Sequence, residues 1–359
     1  MHLALVLYGD LNFLSGGFLY DRRLVDYLRR QGVRVEVISL PWRVYPRGLL
    51  DNLSPALHRW LAGLSPDLLL QDELAHPSLF LVNRRLRPGK KLAAVVHHLR
   101  CDEPRASLLN RLYAQVEGRY LATLDACITN SRATLASVRR RCGRELPGVV
   151  APPGIQDFPR LPGPAEIAAR VQEPGPRRLL FVGNVIPRKG LHLLVRALAG
   201  LRAREWHLTV AGNLTLAPGY VRRLRQRLAA AGLASRVEFT GLLPAPELAR
   251  HLARSHVLVV PSLYEGFGIC YLEGMAFGLP AIGSEAGGAP EIITPGRDGF
   301  LVPPGEVAAL AACLERLLTD DRLLLEMSLA ARERFLAHPT WEESLEGAYR
   351  LLHSLADSP

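Results

Sequence analysis

Two glutamates, Glu265 and Glu273, stand eight residues apart, and the first opens a Glu-Gly-Phe-Gly loop. If a helix starts from that loop, the second carboxylate lies a little over two turns along it, about 12 Å from the first. That separation suits the two ends of one ligand. Two acids acting on one glycosidic bond by a covalent route need carboxyls about 5 Å apart, which this spacing does not supply. Gly266 and Gly268 let the backbone come close to a ligand, and the helix start behind them offers unpaired N–H groups and a positive dipole end, where an anion fits. Other turns carry the complementary charge. Arg188 and Lys189 follow the apolar run 177–183 and precede a helical pattern, a place where two cations can hold a diphosphate. Gly16 and Gly17 stand where an earlier strand hands over to a helix, which suits a phosphate although no GxGxxG is present. His97 and His98 end another apolar run and are followed by Arg100, Asp102 and Glu103, polar residues at a strand end where ligands of open α/β sheets bind.

These residues need strands and helices to position them. In the first half the pattern predicts strands at 2–8, 33–39, 67–71, 92–98, 125–131 and 149–155, with helices at 18–30, 107–124 and up to 141. Trp42 and Pro46 fall in an irregular stretch expected at the surface. Proline and glycine crowd residues 156–176, the expected linker region. The alternation restarts with strands at 177–183, 207–213, 236–243 and 256–262, separated by helices, and closes with helices at 305–318 and 321–336 and a last one beginning near Trp341. Strands that alternate with helices and read as apolar runs make parallel sheets, whose ligands bind at the carboxyl ends of the strands. The class is α/β, with domains at 1–160 and 177–338, a linker at 161–176 and a terminal helix in 339–359.

Pro261-Ser262, the two glutamates, and then GLPAI (278–282), GGAPE (287–291) and GRDGFLV (296–302) form an ordered string. It resembles the donor-site signature of the retaining glycosyltransferases of family 4. The resemblance implies the GT-B fold: two doubly wound Rossmann-like domains with parallel sheets facing an inter-domain cleft, and a terminal helix that crosses back to the first domain. It implies a nucleotide-diphosphate sugar (UDP-, GDP- or ADP-sugar) as donor and a sugar, lipid-linked or other hydroxyl as acceptor. By the same resemblance Glu273 binds the ribose, while Glu265 and the backbone of Gly266, Phe267 and Gly268 hold the sugar. Arg188, Lys189, Gly16 and Gly17 meet the phosphates, Leu242 beside Gly241 meets the base, and His97, ahead of His98, lies near the transferred sugar. Gly212-Asn213-Leu214 departs from the family's Gly-x-Gly, so no phosphate role is carried onto it. The chain contains no Asp-x-Asp to hold Mg²⁺ or Mn²⁺, and its cations can neutralise a diphosphate, so catalysis without metal or other cofactor is expected. Two rivals share the donor: a sugar-nucleotide epimerase of the same fold, and a non-catalytic nucleotide-sugar-binding protein.

Bulk composition narrows the setting. The chain has 359 residues, 48% of them hydrophobic and 22% charged, which is globular and long enough for two cores. No apolar run reaches the roughly 18 residues of a membrane span, and the N-terminus reads as a first strand, so a cytoplasmic location is expected. Five scattered cysteines without CxxC spacing indicate buried thiols. Of the formal charge of +10, residues 1–150 carry +9, from 22 basic and 13 acidic side chains. That bias fits peripheral contact with anionic lipid at the inner membrane face. Nucleic acid is not expected, because no aromatic-basic reading motif accompanies the charge.

Overall fold

The computed structural model describes every residue except Leu14, Gln156, Asp157, Pro159 and Pro359. Contacts divide the chain into two compact units, Met1–Pro153 with Pro339–Pro359, and Gly154–His338.

The first unit is built on β1 (His2–Tyr8), β2 (Arg34–Leu40), β3 (Leu68–Asp72), β4 (Leu92–Val96), β5 (Ala126–Thr129) and β6 (Gly148–Val150). All pair in parallel, in the order β2-β1-β3-β4-β5-β6. Every residue of β3, β4 and β5 is buried, because helices cover both faces, and this is why these strands read as unbroken apolar runs. The chain leaves β1 to one side for β2 and returns on the other side as β3, so the connections diverge and a crevice opens at the carboxyl ends of β1 and β3. The helix after β1, Gly16–Arg30, starts earlier than periodicity predicts. The Ser15 hydroxyl accepts from the Phe18 N–H at 3.4 Å and caps it, taking Gly16 and Gly17 into the first turn. The last helix, Trp341–Asp357, buries Leu345, Ala348 and Leu352 against β6, β5, β3 and the Gly16–Arg30 helix. Tyr27 donates to Glu346 Oε2 at 2.6 Å beside this packing.

The second unit holds β7 (Arg177–Val182), β8 (Trp206–Ala211), β9 (Val237–Gly241), β10 (Val257–Val259), β11 (Ala281–Ser284) and β12 (Gly299–Val302). They too are parallel, in the order β12-β11-β10-β7-β8-β9. Here the order reverses between β7 and β10, so the crevice lies at their carboxyl ends.

The linker at 161–176 is corrected by a helix, Pro164–Gln172, that belongs to the second unit; Gln156, Asp157 and Pro159 of the same Pro-rich region lie outside the described residues. Ile167 and Val171 are buried, and so is the charged Arg170. Arg170 Nη1 donates to the carbonyls of Ala253 (3.2 Å) and Phe277 (2.9 Å), and Nη2 to that of Gly278 (2.8 Å). These carbonyls lie at the carboxyl ends of the helices Ala245–Arg254 and Ile269–Ala276, where a helix leaves acceptors unpaired and favours a cation. Burial lowers the Arg170 pKa to about 10, with Arg178 adding to the effect. Arg170→Met should lower the unfolding free energy by about 3 kcal/mol in urea titration, because buried acceptors lose a charged donor. A loss below about 0.5 kcal/mol contradicts this role.

Candidate functional site

The loops after β7 and β10 meet at the crevice of the second unit. After β7 the turn Pro187–Lys189 ends at Gly190, whose φ is +73°. An added Cβ there would lie 1.9 Å from the Pro261 carbonyl oxygen, so only glycine lets the two loops come this close. Three hydrogen bonds then join them. The Leu263 N–H donates to the Arg188 carbonyl at 2.7 Å, Arg188 Nη1 donates to the Tyr264 carbonyl at 2.8 Å, and Lys189 Nζ donates to Glu265 Oε2 at 2.6 Å. Ser262 Oγ adds a bond to the same oxygen at 3.0 Å. Burial alone would push the Glu265 carboxyl up, but the Lys189 and Arg188 charges and the bonds from Lys189 and Ser262 outweigh it and hold the group below its ordinary value. Glu265 is therefore a fixed carboxylate. Among the described residues no bond reaches its Oε1, which leaves that oxygen as an acceptor.

The loop after β11 completes the arrangement. The Glu265 N–H donates to the Ala286 carbonyl at 3.2 Å, and the Gly288 N–H donates to the Glu265 carbonyl at 2.8 Å. The helix beyond starts only at Ile269. Gly268, at φ +103°, packs so tightly on the Tyr271 ring that an added Cβ would come within 2.4 Å of it. That packing, rather than access for a ligand, explains this glycine. The late start also corrects the expected geometry, for Glu273 stands just over one turn into the helix, not two. Glu273 is 7% exposed. The Phe267 side chain is buried in the core and against the His338 ring, so this residue can offer a ligand only its backbone. Leu242, by contrast, is 49% exposed beyond β9.

In the first unit the crevice gathers acids around His97. Its Nε2 lies 3.1 Å from Asp21 Oδ1, its backbone N–H donates to Glu73 Oε2 at 3.1 Å, and the Tyr20 ring meets it edge-on with centroids 5.4 Å apart. Gly17 flanks the ring, with space for a Cβ only 3.2 Å from its Cδ2. Asp21, Asp72 and Glu73 are all buried. Burial would lower the His97 pKa, but Asp21, by charge and hydrogen bond, with Glu73 and Asp72, raises it to about 10. Burial, followed by the Asp21 charge, lifts Asp72 to about 7, and burial with Asp72 lifts Glu73 well above the carboxylate range. Donor atoms of Asp21, Asp72 and His97 lie within 4.8 Å of one another, and the His97–Asp21 contact, at 3.1 Å, is of hydrogen-bond length. His98 turns away to Glu103 at 2.8 Å, and Glu103 also takes Arg105 at 2.5 Å. Of the two histidines it is His97 that stands at the crevice beside Gly17.

Two family models cover this architecture: residues 176–320 match that described as glycosyl transferases group 1, and residues 14–154 match a glycosyl transferase 4-like domain. Over 307 residues the chain is 32% identical to the D-inositol 3-phosphate glycosyltransferase of Pseudarthrobacter chlorophenolicus, covering 84% of this chain and 70% of that one. The chain belongs to the group 1 glycosyltransferases. A second relative, the GDP-mannose-dependent alpha-(1-6)-phosphatidylinositol monomannoside mannosyltransferase of Mycolicibacterium smegmatis, is 34% identical over 203 residues, 53% of this chain. The match spans about half of that relative, 52% of its length. Among solved structures, sucrose-phosphate synthase from Thermosynechococcus elongatus superposes with a TM-score of 0.82 at 25% identity, covering 99% of this chain and 98% of that one. Anabaena HepE, solved with UDP and glucose, gives 0.76 at 21% identity over 98% and 99%. The fold of this group 1 glycosyltransferase is GT-B, two Rossmann-like units each with a six-stranded parallel sheet.

Sequence reasoning missed Ser262 as a partner of Glu265, and it missed Asp21, Asp72 and Glu73. The rule that singled out His97, polar residues where an apolar strand ends, applies equally to Asp72 and Glu73 at the end of β3. Asp21 carried no such mark, because an acid on a charged helix reads as solvated. In the second unit, Lys189→Ala should destabilise the protein by about 3 to 5 kcal/mol in denaturant unfolding, because Glu265 is left buried and unpaired. The double variant Lys189→Met with Glu265→Gln should regain most of that loss. If the single and double variants lose equally, the pairing does not set the loop.

Proposed function

We propose that this chain transfers a sugar from a nucleotide-diphosphate sugar to an acceptor hydroxyl, with retained anomeric configuration and without a metal at the phosphates. One observation carries the proposal: Arg188, Lys189, Glu265 and Glu273 stand on the loops and helix that follow β7 and β10, where the strand order of a glycosyltransferase-family chain reverses. Ligands of open α/β sheets bind there. As the bond from the anomeric carbon to the diphosphate breaks, charge grows on the phosphate oxygens, and Arg188 and Lys189 are the cations placed to stabilise it. Lys189 can do this without leaving Glu265, since an ammonium has three donors. Glu265 Oε1 accepts from a sugar hydroxyl, and Glu273 holds the ribose. The acceptor oxygen bonds to the anomeric carbon on the face the phosphate leaves, and its proton passes to the departing phosphate oxygen. Glu265 does not act as a nucleophile in this reading, because the ammonium and hydroxyl that fix it also reduce its basicity.

The first unit supplies a docking surface. Trp42, Val44, Leu50, Leu53 and Trp60 are exposed, with Arg47 and Arg59 exposed among them. Apolar side chains interleaved with cations suit the headgroup region of an anionic bilayer, and this supports a lipid-linked acceptor. Among the described residues no helix is long and apolar enough to cross a membrane.

A thermal-shift screen with UDP-, GDP- and ADP-sugars should find one donor class that raises the melting temperature, as any ligand specific to the folded state must. Glu273→Ala should abolish that shift, and wild-type donor affinity in the variant would refute its ribose role. His97→Ala should reduce transfer far more than donor binding. A donor converted to free isomer without acceptor would favour an epimerase, and donor binding without turnover a regulator. For the membrane, flotation at low salt should recover the protein with anionic vesicles and not with neutral ones, and equal recovery or none removes that part of the reading.

A further inference from the structure

The crevice of the first unit holds more acid than a structural role for His97 requires. Asp21 reaches it from the Gly16–Arg30 helix, Asp72 and Glu73 from the end of β3, and His97 from the end of β4, so three segments converge on one imidazole. The ionisable groups facing it are those three carboxyls and Tyr20, with Tyr120, from the helix Ser107–Leu121, lying against Asp72 and Glu73. Three ionised carboxylates around a neutral ring would bury three like charges, which the interior does not tolerate. An imidazolium, together with a proton shared by Glu73 and Asp72, leaves one. Fixed donors reach both acids of that pair, the His97 N–H reaching Glu73 at 3.1 Å and the Leu74 N–H reaching Asp72 at 2.9 Å. Among the described residues no hydrogen-bond donor reaches the buried Asp21 Oδ2 and Asp72 Oδ2, and an adjacent cation would offset that cost.

The ring is oriented as well as charged. Its Nε2 edge is committed to Asp21 and flanked by Gly17, where a larger residue would press on Cδ2 and Nε2. Among the described residues no hydrogen bond reaches Nδ1, and the His97 side chain keeps 10% of its surface open.

We propose that Asp21 is a positioning residue that holds His97 as an imidazolium, so that His97 serves the transfer through Nδ1–H as a hydrogen-bond donor and positive charge, and not as the base that deprotonates the acceptor. This rests on the glycosyltransferase reading and goes beyond it. It places the acceptor's proton on the departing phosphate, with no proton taken up by His97 at any stage.

The test has two arms. Nitrogen-15 spectra of histidine-labelled protein, with the His97 signals assigned by loss in His97→Gln, should show His97 doubly protonated at pH 8.5 in the wild type. In Asp21→Asn the ring should titrate near its ordinary value of about 6.5. At pH 8.5 the variant would then keep roughly 1% of the charged ring, so kcat should fall about 100-fold, with little change in donor KM. The loss should shrink toward wild type at pH 5.5, and Asp21→Glu should keep most of the activity at both values. A neutral His97 in the wild type at pH 7 to 8.5, or an Asp21→Asn loss of the same factor at every pH, overturns the proposal. If no donor is turned over, the glycosyltransferase reading fails, while the charge on His97 in the wild-type spectra still decides this one.

Discussion

A carboxylate buried to the degree of Glu265 cannot remain charged alone, and the second unit is arranged around keeping it so. The ammonium that neutralises it comes from the loop after β7, the carboxylate from the loop after β10, and its backbone is bonded to the loop after β11. The pair adds to the bonds from Leu263, Arg188 and Gly288 that already tie these three turns together at the rim of the sheet. Together they form one surface beside the place where the strand order reverses. Gly190 is a consequence of the same closeness, because a side chain there would occupy the space that Pro261 of the neighbouring loop fills.

The first unit solves the opposite problem. There the excess charge is negative, and the group that relieves it is His97, held at the corresponding place where the order of β1 and β3 reverses. One crevice thus fixes an anion by means of lysine, and the other fixes a cation by means of acids. Preorganised charges of this kind need no rearrangement when a reaction moves charge past them.

What could be read in the chain follows from what each residue must do locally. Central parallel strands are buried on both faces, so β3, β4 and β5 stood out as apolar runs within a few residues of their true bounds. Lys189 and Glu265 were legible because each follows such a run at a turn. The helix Pro164–Gln172 was hidden by its prolines and by Arg170, whose burial depends on carbonyls at the ends of two later helices. Asp21 was hidden for a similar reason: amphipathic patterning assigns charge to solvent, and only the tertiary structure shows that this one faces a histidine 76 residues away. The start of the helix after Gly268 was placed too early because Glu265 is bound to its neighbouring loops instead of to a helical turn.

The central claim is that a nucleoside diphosphate sugar is held by the joined loops after β7 and β10. Hydrogen exchange of backbone amides, followed by mass spectrometry with and without the donor, tests it most directly. The account predicts slowed exchange in 184–190 and 262–268 on donor binding, where bound ligand suppresses local opening. Protection that leaves both segments unchanged, while another part of the chain is protected, would contradict it.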